Sequence, residues 1–107
     1  MEVLKELYKT ILKRKKEKSE NSYTCYLFEK GLDKILKKCG EECSETIIAA
    51  KNGNNKETVN EICDLMYHLL VLMAEQNIDI NSVEEELKIR NQKVGNLKSM
   101  KNTDINT

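Results

Sequence analysis

Residues 59–74, VNEICDLMYHLLVLMA, would be apolar on almost every side of a helix, yet they carry acid groups. Wound at about 100° per residue, this stretch and its flanks align Glu57, Glu61, Asp64, His68 and Glu75 on one stripe roughly 60° wide. The rest of the circumference is Ile, Leu, Val, Met, Cys or Tyr. A helix that is apolar nearly all round is a buried one. Carboxylates carried on it need a counter-charge, because burying an isolated ionised group costs on the order of several kcal/mol. A bound cation meets that need.

The surrounding chain reads as helix throughout. It has no proline and only four glycines, and Lys, Glu, Leu, Ile and Asn prevail, which favours helix over sheet. A first helix is expected over 2–18, with Val3, Leu4, Leu7, Tyr8, Ile11 and Leu12 as its apolar stripe. It ends in KRKKEK, basic charge that complements the dipole of a last helical turn. After a polar link at 19–22, Thr24 is the expected N-cap of a short turn running to Phe28. Gly31 interrupts or kinks the passage into a second long helix that reaches residue 51. Asn52-Gly53-Asn54-Asn55 is a turn, and a third long helix covers 56–76. Beyond a connection at 77–80, Asn81 or Ser82 caps a last helix extending to residue 90.

The fold class is therefore all-α: an antiparallel bundle of three to four main helices in one domain over 1–90. One protomer this small does not cover the 56–76 helix on all sides, so a homodimer is expected to complete it. Residues 91–107 turn to Asn, Lys, Ser and Thr and read as a loosely ordered tail, on which Val94 and Leu97 dock locally.

Eighteen basic residues balance eighteen acidic ones, which argues against a nucleic-acid partner. No run approaches the roughly 20 apolar residues of a membrane span. The N-terminal helix is charged and lacks the apolar core of a secretory signal, so the expected location is the cytoplasm. Cys25, Cys39, Cys43 and Cys63 form no CxxC, and they read as small apolar fillers of a reduced protein rather than as soft-metal ligands.

The acid groups on the second long helix decide the chemistry. Glu41, Glu42 and Glu45 share a face at i, i+3 and i, i+4 spacing, and Glu61 and Asp64 repeat the i, i+3 step on the next helix. The intervening turn makes the two helices antiparallel neighbours and sets both clusters at similar depth. Four or five facing carboxylates repel one another when empty; with Mg²⁺ they make an all-oxygen site that holds phosphate chains through the metal. Lys34 and Lys38 stand on nearly the same stripe as Glu41 and Glu45, suiting an anionic substrate. Taken alone, that stripe reads equally as a solvated face with ordinary i, i+4 ion pairs. The matching acidic stripe on the apolar helix favours the site. His68, one turn beyond Asp64, reads first as a group that orients a carboxylate, with a general-base role as the alternative.

Glu-Glu-x-x-Glu, a gap of fifteen, then Glu-x-x-Asp resembles the signature of the MazG-type all-α nucleoside triphosphate pyrophosphohydrolases. The longer strings SYTCYLFEKGLDKILKKCGEECSETIIAAKNG and EICDLMYHLLVLMAEQNI are closer still to the phosphoribosyl-ATP pyrophosphohydrolase family of histidine biosynthesis. The likeness spans about residues 4–90. It implies Mg²⁺-dependent hydrolysis of the α–β phosphoanhydride of phosphoribosyl-ATP by a stand-alone homodimeric enzyme. It also implies metal binding by Glu42, Glu45, Glu61 and Asp64, with Glu41 beside them. Glu41 and Glu45 are the expected catalytic carboxylates, and Lys34 and Lys38 the expected substrate-binding groups. Two rivals remain: a housecleaning (d)NTP pyrophosphohydrolase of the same superfamily, and a non-catalytic helical dimerisation module.

Overall fold

In the computed structural model, which describes residues 2–93, the chain forms five helices: α1 (Glu2–Lys16), α2 (Tyr23–Lys30), α3 (Leu32–Lys51), α4 (Asn55–Glu75) and α5 (Ile80–Gln92). The expected tail from residue 94, with Val94 and Leu97, lies outside the described residues. No strand occurs among the described residues, so the all-α bundle stands.

Local chemistry sets the helix boundaries. Thr24 does not cap α2: the Ser22 hydroxyl accepts from the Cys25 amide, and Thr24 is instead buried against α4, its hydroxyl bonded to that of Tyr67. The expected turn at 24–28 is thus a full two-turn helix. Asp79, rather than Asn81 or Ser82, caps α5 by accepting from the Asn81 amide at 2.8 Å. A shorter connection after Gln76 lets the helix start earlier. Asn54 caps α4, its side chain accepting from the Glu57 amide at 3.0 Å.

Gly31 separates α2 from α3 at φ 91, ψ −170, a backbone region that side chains rarely enter. An added Cβ would meet nothing within 4 Å, so any cost of substitution is conformational rather than steric. Gly31→Ala is expected to lower stability by about 1–3 kcal/mol, measured by urea melts with an unchanged m-value. Wild-type stability in that variant would place the bend elsewhere.

The core gathers one to three side chains from every helix: Tyr8 and Ile11, Leu27, Ile35, then Leu70, Val71 and Ala74, and Ile80. Ile11, Leu27, Ile35 and Val71 are almost completely enclosed. Two α1 side chains anchor the loop after α4. Lys15 Nζ donates to the Ala74 carbonyl at 2.7 Å and to Asn77 Oδ1 at 3.1 Å, and the Tyr8 hydroxyl donates to the Ile78 carbonyl at 2.5 Å. Positive charge at the carbonyl end of α4 suits the helix dipole.

α3 and α4 form the most extensive helix pair. The acidic stripe of α4 turns inward at Glu61 and His68, both buried. Its opposite face does not: Val59, Ile62 and Leu69 lie exposed, as do Leu36 and Ile47 on α3. As expected for so small a chain, a single protomer does not cover α4 on all sides.

Candidate active site

The tight Asn52–Asn54 turn brings the end of α3 back against the start of α4, and the two acidic clusters meet at one level. One carboxylate oxygen each from Glu42, Glu45 and Glu61 lies within 4.8 Å of the others. Glu42 and Glu61 are buried while Glu45 is exposed, so the triad opens to solvent on the Glu45 side. A groove of about 250 Å³ runs from it, lined by Glu45, Ile48, Ala49, Asn52, Asn54, Glu57 and Glu61.

This group is electrostatically unfinished. The Oε2 atoms of Glu42 and Glu61 are buried and receive no hydrogen bond. The groups around the Glu61 carboxyl are other carboxylates: Glu45 first, with burial adding to it, then Glu57 and Glu42. Their crowding pushes its pKa up to about 8. Buried oxygens without donors are uncommon and call for a partner. The donor set is oxygen only, the preference of Mg²⁺ or Ca²⁺ and not of zinc. Mg²⁺ fits these residues.

Lys38 flanks the triad, its Nζ 3.5 Å from Glu42 Oε1 and 3.2 Å from Glu41 Oε2. The bond to Lys38 holds the Glu41 carboxyl below its usual range, and the same bond raises the lysine. Glu41 is engaged there and is not among the three converging oxygens. Asp64 is half-buried one turn beyond Glu61 and also lies outside that trio; its backbone carbonyl accepts from His68 Nδ1 at 2.7 Å. Lys34 is set further along α3, over the Tyr26 ring at 6.0 Å, with Lys30 over the same ring at 5.8 Å.

Two parts of this site went unassigned in the sequence. Glu57 stands on the α4 stripe one turn before Glu61, and its place beside the Asn52–Asn54 turn was the signal that it would face Glu45. Tyr23, at the start of α2, bonds His68 Nε2 at 2.9 Å, an approach that no spacing rule reveals.

The family of phosphoribosyl-ATP pyrophosphohydrolases matches residues 4–91. The chain belongs to the phosphoribosyl-ATP pyrophosphohydrolase family. A phosphoribosyl-ATP pyrophosphatase of Listeria welshimeri is 57% identical over 102 residues, covering 95% of this chain and 98% of the relative. One from Clostridium novyi is 53% identical over 98 residues, covering 92% and 89%. One from Bacillus mycoides is 50% identical over 103 residues, covering 96% of each. The pyrophosphohydrolase match takes in all of α2, α3 and α4, and so every residue of the acidic site. Among the described residues, no helix is long and apolar enough to cross a membrane.

Proposed function

We propose that this chain hydrolyses the α–β phosphoanhydride of phosphoribosyl-ATP, releasing phosphoribosyl-AMP and pyrophosphate, with Mg²⁺ held by Glu42, Glu45 and Glu61 and by Asp64 beside them. The observation that carries the reading is the meeting of three carboxylates, two of them with buried, donor-free oxygens, inside a chain of the pyrophosphohydrolase family. Bound there, Mg²⁺ supplies Lewis-acid stabilisation of phosphate charge and lowers the pKa of water.

The protein's own groups do the rest. Lys38 and Lys34 present ammonium groups to the phosphate chain from α3. Glu41 is half-exposed and Glu45 exposed, so both stand on the solvent side, where an attacking water would leave its proton. The pyrophosphohydrolase domain is 1–90, and the cytoplasm is its proposed location.

The apolar face left open on α4 and α3 supports a homodimer. At about 100° per residue Val59 lies about 180° from the acidic stripe and Ile62 and Leu69 more than about 100° from its centre, so a second copy covers them without blocking the carboxylates. Val59→Lys with Ile62→Lys is expected to give a protomer-sized particle in analytical ultracentrifugation. A pair of lysines that leaves a dimer intact would rule out this face as the contact.

The deciding experiment is pyrophosphate release from phosphoribosyl-ATP, dUTP and dCTP, each with and without Mg²⁺. Release from phosphoribosyl-ATP alone, and only with the metal, is expected. Preference for a deoxynucleotide would favour the housecleaning reading, and no hydrolysis of any substrate would leave a dimerisation module.

A further inference from the structure

We propose that Tyr23 recognises a hydroxyl of the adenosine ribose, and that buried His68 positions it by taking up the one proton the phenol can donate. The inference rests on the phosphoribosyl-ATP reading and deepens it.

The argument starts at the imidazole. His68 Nδ1 lies 2.7 Å from the Asp64 carbonyl, an oxygen that only accepts, so Nδ1 carries the hydrogen. In that tautomer Nε2 presents its lone pair, and the Tyr23 hydroxyl, 2.9 Å away, donates to it. Edge-on packing of the imidazole against Tyr67 and Tyr23 fixes the ring plane. Burial raises the Tyr23 pKa above its ordinary value, so the hydroxyl keeps its hydrogen.

With that hydrogen committed inward, the Tyr23 oxygen faces outward as an acceptor only. Phosphate oxygens are acceptors too and gain nothing there. A sugar hydroxyl has a hydrogen to give. The Tyr23 ring is 45% exposed, so a ligand reaches it. His68 links it to the Asp64 backbone, and Tyr26, stacked on it at 6.1 Å, carries Lys34 over its own ring at 6.0 Å, which sets the Tyr23 hydroxyl between the proposed metal and phosphate groups. The sugar nearest the scissile α–β bond is the adenosine ribose.

Steady-state kinetics test this with phosphoribosyl-ATP and its analogues lacking the 2′- or the 3′-hydroxyl of that ribose. Tyr23→Phe removes one oxygen from a half-exposed ring. It is expected to raise KM for phosphoribosyl-ATP roughly tenfold with little change in kcat. For one of the two deoxy analogues, wild type and Tyr23→Phe should share the same KM. His68→Phe should reproduce the rise, and combining it with Tyr23→Phe should add nothing, since the histidine acts through the phenol. An equal KM change on all three substrates, an additive double variant, or an unaltered KM in Tyr23→Phe would overturn the proposal. A wild type inactive on phosphoribosyl-ATP would instead sink the substrate reading, and this inference with it.

Discussion

Replacing Glu61 with Gln is expected to slow hydrolysis severely while making the metal-free protein more stable at a pH where Glu61 is ionised, two effects of opposite sign from one substitution. The activity arm follows from charge. Gln keeps the volume but removes one of three converging carboxylates, and with it a hard anionic ligand. Metal stabilisation of phosphate charge is worth on the order of 3 kcal/mol or more, and about 1.4 kcal/mol is a factor of ten in rate. A loss of at least about a hundredfold in kcat is therefore expected at saturating Mg²⁺. The stability arm follows from hydrogen bonding. Above about pH 8, where the Glu61 carboxyl has lost its proton, the amide donates where the carboxylate cannot, and both Glu45 and the orphaned Glu42 oxygen lie close by. Melting in EDTA reads the second arm, and pyrophosphate release reads the first. Retained activity with an unchanged Mg²⁺ requirement would remove Glu61 from the site. A drop in metal-free melting temperature would show that its carboxyl is already satisfied in the fold.

Which carboxylates share a helix face was legible from periodicity, since i, i+3 and i, i+4 spacing fixes it. The Asn-Gly-Asn turn fixes the relative depth of the two helices, which is why Glu42, Glu45 and Glu61 converge. Periodicity says nothing about the rotation of one helix against the next. That rotation sets Glu57 and Glu45 along one groove and leaves Asp64 outside the trio, with its carbonyl serving His68. The Tyr23–His68 bond escaped for a related reason: it joins residues 45 apart on helices of different direction. The caps at Ser22 and Asp79 lie two or three residues before the expected ones because several capping residue types stand close together at both places, and only the bond actually made selects among them.

Without metal, the melting temperature of this protein is expected to fall as pH rises from about 5 to about 8.5, and Mg²⁺ is expected to cancel the fall. The carboxyl of Glu61 titrates near 8 in the fold against an ordinary value of 4.5, because Glu45, Glu57 and Glu42 crowd it. Between those two values the folded chain holds a proton that the unfolded chain has released. Stability therefore decreases with pH across that window. Below about 4.5 both states are protonated at this group and the penalty is absent; above about 8 both are ionised and it is complete. A divalent ion competes for the same oxygens, so its stabilising effect should grow over the same interval. At a hundredfold excess over Kd it contributes about 2.7 kcal/mol, or about 10 °C for a chain of this length. The comparison is a pH series of thermal melts from 5 to 9 in EDTA and in Mg²⁺, with Glu61→Gln alongside. In that variant the EDTA series should be flatter than in the wild type, and the Mg²⁺ shift should be much smaller. A wild-type EDTA series that does not decline, or a Mg²⁺ shift equally large in the variant, would mean that proton and metal do not compete at these carboxylates.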